Sequence, residues 1–427
     1  FDYLYFRDAL IQRNMGRNAD LDWQPYRPAI LMINGEYKGM LNIRTRTNED
    51  YVYTLYDGEE DIDMFENWWE LKEGTWDNYN AFKEFYSGTG QTYDEFEKRM
   101  DTGEFANLMI MELFHNNLDF PGNNIVMWRP RAEGGRWRWI AKDTDFGLGL
   151  YDRTYAYKTF DWLHDNNFDK DNAWANKPEH TRLFRRLMDI REFRDMFVDR
   201  CAVYMGDFLN GRVIGAEIDA MSSAIKPEYT RHRALFNPWW PNYDEEVRKA
   251  KQWATDRTEF FYTHLADYYK LGTPRAVTID VGRTDDVALS INGVPLRGRS
   301  FDGKYFQGRT LTVESVSDGV TVDSWRVTVR YGGSSSTVQT FPGPKLSIVV
   351  PSCVSLSVES VISQSGIGEI GCDGDGEAFD YGQAVDVYDI GGRRLMYGVP
   401  VSEAVSLLTP GIYVVRHDGK AVKIAVR

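Results

Sequence analysis

The sequence has few cysteines, no long apolar run and no excess of basic residues. Three cysteines in 427 residues exclude a disulfide-based scaffold. Cys353 and Cys372 could pair, and Cys201 is expected to be a small core residue in a helix. No apolar run is long enough to span a bilayer. The 50 basic and 64 acidic residues give a formal net charge of −14, which argues against a broad nucleic-acid-binding surface.

The residues that are present indicate a folded chain with more than one domain. Hydrophobic residues make up 42% of the sequence and aromatic residues 14%, as in globular rather than disordered proteins. A chain of 427 residues is too long for one ordinary hydrophobic core, so two or three domains are expected. Because Phe1 is not a methionine, we expect a trimmed or mature form without its targeting segment.

The most informative segment runs from Leu118 to Gly149. It begins with LDFPGNNIVMWRP and ends with WIAKDTDFGLG. Residues 125–128 and 137–142 have the β-branched and aromatic composition of short strands. The stretch between them contains Pro130 and two glycines, which predicts a hairpin turn. We expect the turn to be centred between Glu133 and Gly134.

This hairpin would gather acidic and amide side chains at one place. Its expected register puts Asn124 opposite Asp143. Asp119 lies just upstream, and Asp145 follows on the same face as Asp143 if the chain stays extended. Magnesium prefers oxygen ligands and is usually held by one or two carboxylates together with substrate phosphates. The segment therefore predicts a magnesium site that serves phosphoryl transfer.

Two local motifs agree with this chemistry. The spacing from Asp119 to Asn124 is that of a kinase catalytic loop, in which the Asp orients the attacking hydroxyl and the Asn binds metal. The tripeptide from Asp145 to Gly147 matches the kinase metal-binding signature. The alternative is structural, with the Asp and Asn residues capping turns and the later acids solvated in a loop.

The runs HNNLDFPGNNIVMWR and WRWIAKDTDFGLG resemble the signature of the CotH family of atypical, secreted protein kinases. The resemblance continues upstream through FRDALIQRN and downstream to about Gly272. It implies ATP and magnesium as cofactors and a protein as phosphoryl acceptor. It also implies that Asp119 is the catalytic base, that Asn124 is a metal ligand, and that Asp143 or Asp145 is the other metal ligand.

A second hairpin offers cations for nucleotide phosphates. Asn34-Gly35 predicts a tight turn, and residues 37–46 are expected to form the returning strand. In kinases a cation on such a strand grips the phosphates. Arg44 and Arg46 would share one face, and Arg46 is the better candidate. A solvated strand end is the alternative for both, and Thr45 stands where CotH relatives commonly carry Glu.

The pattern predicts an α+β fold, with an atypical kinase-like domain followed by all-β, sandwich-like C-terminal domains. The predicted divisions are residues 1–274 for the CotH-like domain and 275–362 for a β-sandwich. A linker over 363–378 and a small β domain over 379–427 follow. The last domain resembles the C-terminal sorting domain of type IX secretion, which implies a bacterial, extracytoplasmic protein.

We therefore expect a secreted or surface kinase that transfers the γ-phosphoryl group of ATP to a protein hydroxyl with Mg. The alternative is a non-catalytic pseudokinase or glycan-binding surface protein, whose aromatic loops hold a ligand through Trp162, Trp174, Trp239 and Trp240. In either case we expect a monomer that binds no nucleic acid and has no membrane span.

Overall fold

The computed structural model describes residues 3–165, 174–236, 239, 241–282, 288–298, 300–316, 322–362, 384–390, 393–400, 404, 407–408, 411–417 and 420–426. Two compact units are present, Phe1–Val361 and Ile362–Arg427. The predicted four-part division of the chain stays a prediction, and the predicted linker over 363–378 lies outside the described residues, as does Cys372.

Helices form most of the first unit before residue 270. They are α1 (Arg7–Gly16), α2 (Glu49–Leu55), α3 (Asp77–Ser87), α4 (Tyr93–Glu97), α5 (Thr102–His115), α6 (Thr159–His164), α7 (Pro178–Asp189), α8 (Arg191–Asp207), α9 (Gly211–Phe236) and α10 (Tyr243–Tyr268). A short 3₁₀ turn covers Leu150–Asp152. Among the described residues no helix is both long enough and apolar enough to cross a membrane.

Strands precede and follow these helices. Those before α6 are β1 (Tyr26–Ile33), β2 (Glu36–Arg44), β3 (Ile62–Glu66), β4 (Glu70–Glu73), β5 (Val126–Pro130) and β6 (Arg138–Ile140). β1 and β2 pair as a two-stranded sheet, and the other four form a sheet in the order β4-β3-β5-β6. This second sheet presents the candidate site.

The C-terminal part of the first unit is all-β. Its strands are β7 (Pro274–Asp280), β8 (Leu289–Ile291), β9 (Val294–Pro295), β10 (Ser300–Phe306), β11 (Thr310–Ser315), β12 (Ser324–Arg330), β13 (Ser336–Pro342), β14 (Lys345–Val349) and β15 (Ser355–Val361). They form sheets in the orders β10-β7-β15-β12-β13 and β14-β11-β8-β9. Alternate residues such as Val277 and Ile279 of β7 are buried, as in a β-sandwich.

This sandwich packs directly against helices of the same unit. Gly206 of α8 lies against the ring of Phe301 in β10, so any larger residue there would overlap the ring. Asp199, also on α8, accepts a hydrogen bond from the Tyr305 hydroxyl at 2.5 Å. It also forms an ion pair with Arg309 at 2.9 Å. These contacts join helices and sandwich into one packed body.

The second unit is a small sheet in the order β17-β16-β18-β19. Its strands are β16 (Ala384–Asp389), β17 (Arg394–Pro400), β18 (Gly411–His417) and β19 (Lys420–Val426). Val385, Val387, Ala404 and Val415 form its core. Helices with sheets, followed by all-strand regions, confirm the predicted α+β class.

Helix α5 leads the chain into the candidate site. The Asp101 side chain caps it by accepting the Glu104 backbone N–H at 2.9 Å. Nearly every residue of α5 is buried, so the helix belongs to the hydrophobic core. The helix ends at Asn116, whose left-handed conformation (φ 60°) turns the chain out of the helix. The buried helix therefore fixes the point from which the next loop starts.

The predicted hairpin is present, but its register differs by one residue. Val126 faces Ile140 and Trp128 faces Arg138, which centres the loop on Glu133 rather than between residues 133 and 134. Gly134 adopts φ +78°, and the N–H of Gly135 donates to the carbonyl of Ala132 at 3.0 Å. The loop thus has an odd number of residues, which the turn composition alone did not indicate.

Candidate active site

The loop after α5 is held from several sides and presents Asp119. The backbone N–H of Asn123 closes it on the Asp119 carbonyl at 3.0 Å. Trp68 donates its indole N–H to the carbonyl of Pro121 at 2.5 Å. Gly122 packs on the backbone of Ala175 so closely that a side chain at this position would overlap it. The loop therefore has little freedom to move the Asp119 carboxylate.

Asn124, Asp143 and Asp145 come together at the end of the hairpin. The Asn124 amide nitrogen donates to the Asp143 carbonyl at 3.2 Å, and its backbone N–H donates to the Asn67 side chain at 2.7 Å. Burial raises the pKa of Asp143, and its interaction with Asp145 opposes this rise. Asn124 (φ 59°) and Asp143 (φ 48°) both have a left-handed rather than an extended backbone conformation. The two residues therefore stay in contact although the strand register differs by one residue from the predicted register.

Asp8, on helix α1, is a carboxylate of the site that sequence reasoning missed. It accepts hydrogen bonds from the backbone N–H and the hydroxyl of Thr144 at 2.8 and 3.0 Å. Thr144 is fully buried between the two predicted metal-binding acids. Asp8 is separated from it by 136 residues, and no local motif marks this contact. It positions the loop that carries both acids.

The two predicted phosphate-binding arginines occupy different environments. Arg44 forms an ion pair with Asp8 and donates to the Gln24 carbonyl at 3.0 and 3.2 Å. Strand β2 ends at Arg44, so Arg46 lies beyond it and not within the strand as expected. Arg46 is exposed to solvent. Arg44 is thereby linked to the acidic loop through Asp8, whereas Arg46 remains at the surface.

Four carboxyl groups influence one another at this site. Burial and then the Asp143 charge raise the pKa of Asp119. Burial and then the Asp8 charge raise the pKa of Asp143. Beneath them, burial raises the pKa of Glu112 well above its usual value, and Asp8, Asp143 and Asp119 add to this. Such mutual repulsion favours binding of a cation.

The donor set fits a magnesium ion that shares its ligands with a substrate. Among the described residues no group of three or more His, Cys, Asp or Glu side chains has metal-binding geometry. Asn124, Asp143 and Asp145 offer one amide oxygen and two carboxylates. Magnesium usually takes one or two carboxylates and completes its shell with substrate phosphates and water. These residues therefore fit the ion only with a phosphate ligand present.

Two lysines converge on Glu66 beside the acidic loop. Lys142, directly before Asp143, forms an ion pair with Glu66, and Lys72 of β4 lies 3.2 Å from the same carboxylate. Burial acts to raise the pKa of Glu66, but hydrogen bonds from Lys142 and Lys72 lower it below its usual value. Glu66 is followed by Asn67, which binds Asn124. The lysines therefore lie next to the predicted metal ligands.

Arg153 brings a positive charge close to Asp119. Its guanidinium lies 4.2 Å from the centre of the Phe146 ring, in the tripeptide that matches the kinase signature. Burial lowers the pKa of Arg153, and the Asp119 charge opposes this. Sequence reasoning did not single out Arg153, because only the fold places it beside a residue 34 positions earlier in the chain.

The tryptophans of the alternative function do not share one environment. Trp162 belongs to α6 and is buried, whereas Trp174 and Trp239 are exposed. Trp240 lies outside the described residues. A ligand platform would need rings that are open to solvent, so Trp162 is a core residue.

A family model described as CotH kinase protein matches residues 1–261, which is more than half of the chain. Asp8, Glu66, Asp119, Asn124, Lys142, Asp143, Asp145 and Arg153 all lie inside the matched range. No protein matches in a search of curated proteins.

Proposed function

Because the chain belongs to the CotH kinase protein family, we propose that it transfers the γ-phosphoryl group of ATP to a hydroxyl of an acceptor protein, with magnesium. One observation carries this proposal. A single hairpin brings Asn124 to Asp143 and Asp145, and the preceding fixed loop places Asp119 within electrostatic reach of Asp143. Phosphoryl transfer depends on positioning and charge neutralisation. The fixed loop supports the first, and a magnesium ion held by these oxygens would supply the second.

In this proposal Asp119 orients the acceptor hydroxyl and accepts its proton. The raised pKa of Asp119 makes the carboxylate a better proton acceptor than a solvated Asp. Asn124, Asp143 and Asp145 would hold magnesium, which neutralises charge on the β- and γ-phosphates when bound. Asp8 and Glu112 act through these residues and do not contact the reacting atoms.

The lysines around Glu66 are the best-placed cations for the phosphates. Kinases position a phosphate-binding Lys by pairing it with a Glu, and Lys142 with Glu66 has the same chemistry. About a quarter of the Lys142 side chain is exposed (26%), so its ammonium can reach a ligand. Arg46 remains a predicted phosphate contact. Arg44 would act indirectly by fixing Asp8.

A non-catalytic binding role is the second candidate. Thr45 stands where CotH relatives commonly carry Glu, and the rings of Trp174 and Trp239 are exposed to solvent. Secretion, a surface location and a sorting role for the C-terminal domain also belong to the proposal, and they rest on sequence resemblance alone.

Calorimetry with ATP separates the candidates. We expect ATP to bind with magnesium and to bind at least about tenfold more weakly in EDTA, since the acidic loop repels phosphates unless a cation intervenes. The exposed Asp94 of α4 supplies a control, because Asp94→Asn changes one charge away from the site. Binding of a glycan panel without any ATP binding would support the second candidate instead.

A further inference from the structure

A cavity of about 540 Å³ opens beside the loop that follows the acidic pair. Gly149, Tyr151 and Arg153 line it from the loop, and Arg248 and Trp253 line it from α10. We propose that this cavity binds an anionic side chain of the acceptor protein, next to the hydroxyl that receives the phosphoryl group. Arg153 would be the residue that binds the anion. This inference rests on the proposed kinase function and names the acceptor class, a hydroxyl residue flanked by a carboxylate or phosphate.

Arg153 has unused hydrogen-bonding capacity inside the protein. Its Nη1 atom is buried and has no hydrogen-bond partner among the described residues. Its guanidinium contacts the Phe146 ring, which supplies no hydrogen-bond acceptor of comparable strength. A buried donor without a partner is unfavourable, and an anionic ligand would remove that cost. Arginine also suits carboxylates and phosphates because its planar fork binds them in a bidentate manner.

The other cations that line the cavity already have partners. Arg7 donates to the carbonyls of Gly147 and Leu148 at 3.2 and 2.6 Å. Arg248 pairs with Glu245 at 2.6 Å, and Lys249 pairs with Glu246 at 3.0 Å, both on the exposed surface of α10. These side chains make the mouth of the cavity polar. Among the described residues, Arg153 is the lining cation with a buried N–H donor that no protein acceptor binds.

The walls of the cavity are fixed before any ligand binds. Trp253 donates its indole N–H to the carbonyl of Arg153 at 3.0 Å. Gly149, at φ +75°, lies so close to Trp253 that a Cβ atom would come within 2.7 Å of the indole. Arg257 binds the carbonyls of Tyr155 and Tyr157 at 2.6 and 2.8 Å. A preformed site spends little binding free energy on ordering its loops.

The position of Arg153 favours the acceptor over the nucleotide as the source of the anion. Arg153 interacts electrostatically with Asp119, the proposed base that faces the acceptor hydroxyl. The proposed phosphate contact Lys142 pairs with Glu66 at the hairpin instead. The exposed rings of Tyr151 and Tyr155 line the same cavity and offer packing surface to a peptide. The anion would therefore come from residues adjacent to the acceptor hydroxyl.

The test uses fluorescein-labelled peptides with one serine flanked by Glu, phosphoserine, Gln or Lys. Binding to the full chain is measured by anisotropy with magnesium and a non-hydrolysable ATP analogue, and transfer is measured separately with radiolabelled ATP. We expect the Glu and phosphoserine peptides to bind at least about tenfold more tightly than the Gln peptide, and the Lys peptide to bind weakest. The ratio between the two anionic peptides identifies the preferred source of the anion.

Three variants assign this preference to the cavity. Arg153→Gln should remove the tenfold preference, and Arg153→Lys should restore part of it without bidentate binding. Arg212→Gln, at an exposed position on α9, should leave it unchanged. ATP binding by Arg153→Gln should equal that of the wild type, which shows that the variant is folded and that the effect concerns the acceptor.

Equal affinity of the wild type for the Glu, phosphoserine and Gln peptides overturns the inference, whatever the variants do. A preference that persists in Arg153→Gln overturns it as well. If the preference is present and depends on Arg153 but no peptide is phosphorylated, the cavity assignment stands and the kinase proposal fails. If peptides are phosphorylated without regard to flanking charge, the kinase proposal stands and the cavity assignment fails.

Discussion

Replacement of the buried Arg257 should destabilise the elements that support the candidate active site. This arginine of α10 is fully buried, and all five of its N–H groups are used. They donate to the backbone carbonyls of Phe114, Leu113, Tyr155 and Tyr157 and to the hydroxyl of Thr159. Two of these acceptors belong to the last turn of α5, where helix carbonyls lack partners and carry partial negative charge.

The expected effect of Arg257→Met is a loss of about 3–5 kcal/mol in the free energy of unfolding. Four backbone carbonyls lose their donors, and each of the two buried ones, those of Leu113 and Phe114, costs about 1–3 kcal/mol if it stays dry. Removing the buried charge also removes its desolvation cost. The total loss of stability is therefore smaller than the sum of the losses at the individual carbonyls. Burial lowers the pKa of Arg257 to about 9, so the side chain is still charged at pH 7.

Urea unfolding followed by tryptophan fluorescence measures this loss, and Arg257→Lys is the matched control. Lysine keeps the charge and can supply three of the five hydrogen bonds, so it should lose less than the methionine variant. Phosphoryl transfer at a temperature where both variants are folded should fall further for methionine, because α5 sets the position of Asp119. Equal stability of Arg257→Met and the wild type would refute the view that this arginine holds α5 and the loop together.

Three other outcomes follow from the same structure. Burial lowers the pKa of His115 to about 4, below its usual 6.5. As the pH falls, the unfolded chain therefore binds a proton at this histidine before the folded chain does. The free energy of unfolding should fall by up to about 3 kcal/mol between pH 6.5 and 4, and by less in His115→Gln. A chain ending at Val361 should melt like the full chain, whereas one ending at residue 274 should be less stable in thermal unfolding, since it loses the sandwich contacts of α8. Arg46→Ala should weaken ATP binding in calorimetry with an unchanged melting temperature, and Lys142→Met should weaken it more. If both variants bind ATP with the affinity of the wild type, Arg46 is a solvent-exposed residue and Lys142 has a structural role.

The hairpin and its acids could be predicted because their signals are local. Strand composition, turn residues and the Asp–Asn spacing all lie within one segment of the chain. The register differed by one residue because the number of loop residues depends on how Gly134 and Gly135 close the turn, which composition does not specify. The strand that carries Arg44 ended two residues early for a similar reason, since strand ends are poorly marked in sequence.

The supporting contacts could not be predicted because they join distant parts of the chain. Glu66 meets Lys142 across 76 residues, and Asp8 meets Thr144 across 136. Single acids and cations of this kind are indistinguishable in sequence from solvated surface residues. Only the fold shows that Arg153 keeps an unpaired donor beside the proposed base. Local chemistry therefore indicated the reaction, whereas the residues that position it required the structure.

The central claim is that Asp119 and the acids of the hairpin have separate roles, and three variants test it directly. Magnesium-dependent ATP binding and radiolabel transfer are measured on Asp119→Asn, Asp143→Asn and Asp145→Asn. We predict that Asp119→Asn binds ATP like the wild type but transfers no label, because the base is not needed to hold the nucleotide. At least one of Asp143→Asn and Asp145→Asn should lose binding as well. Wild-type protein that binds no ATP with magnesium, or Asp119→Asn that still transfers label, would contradict the account.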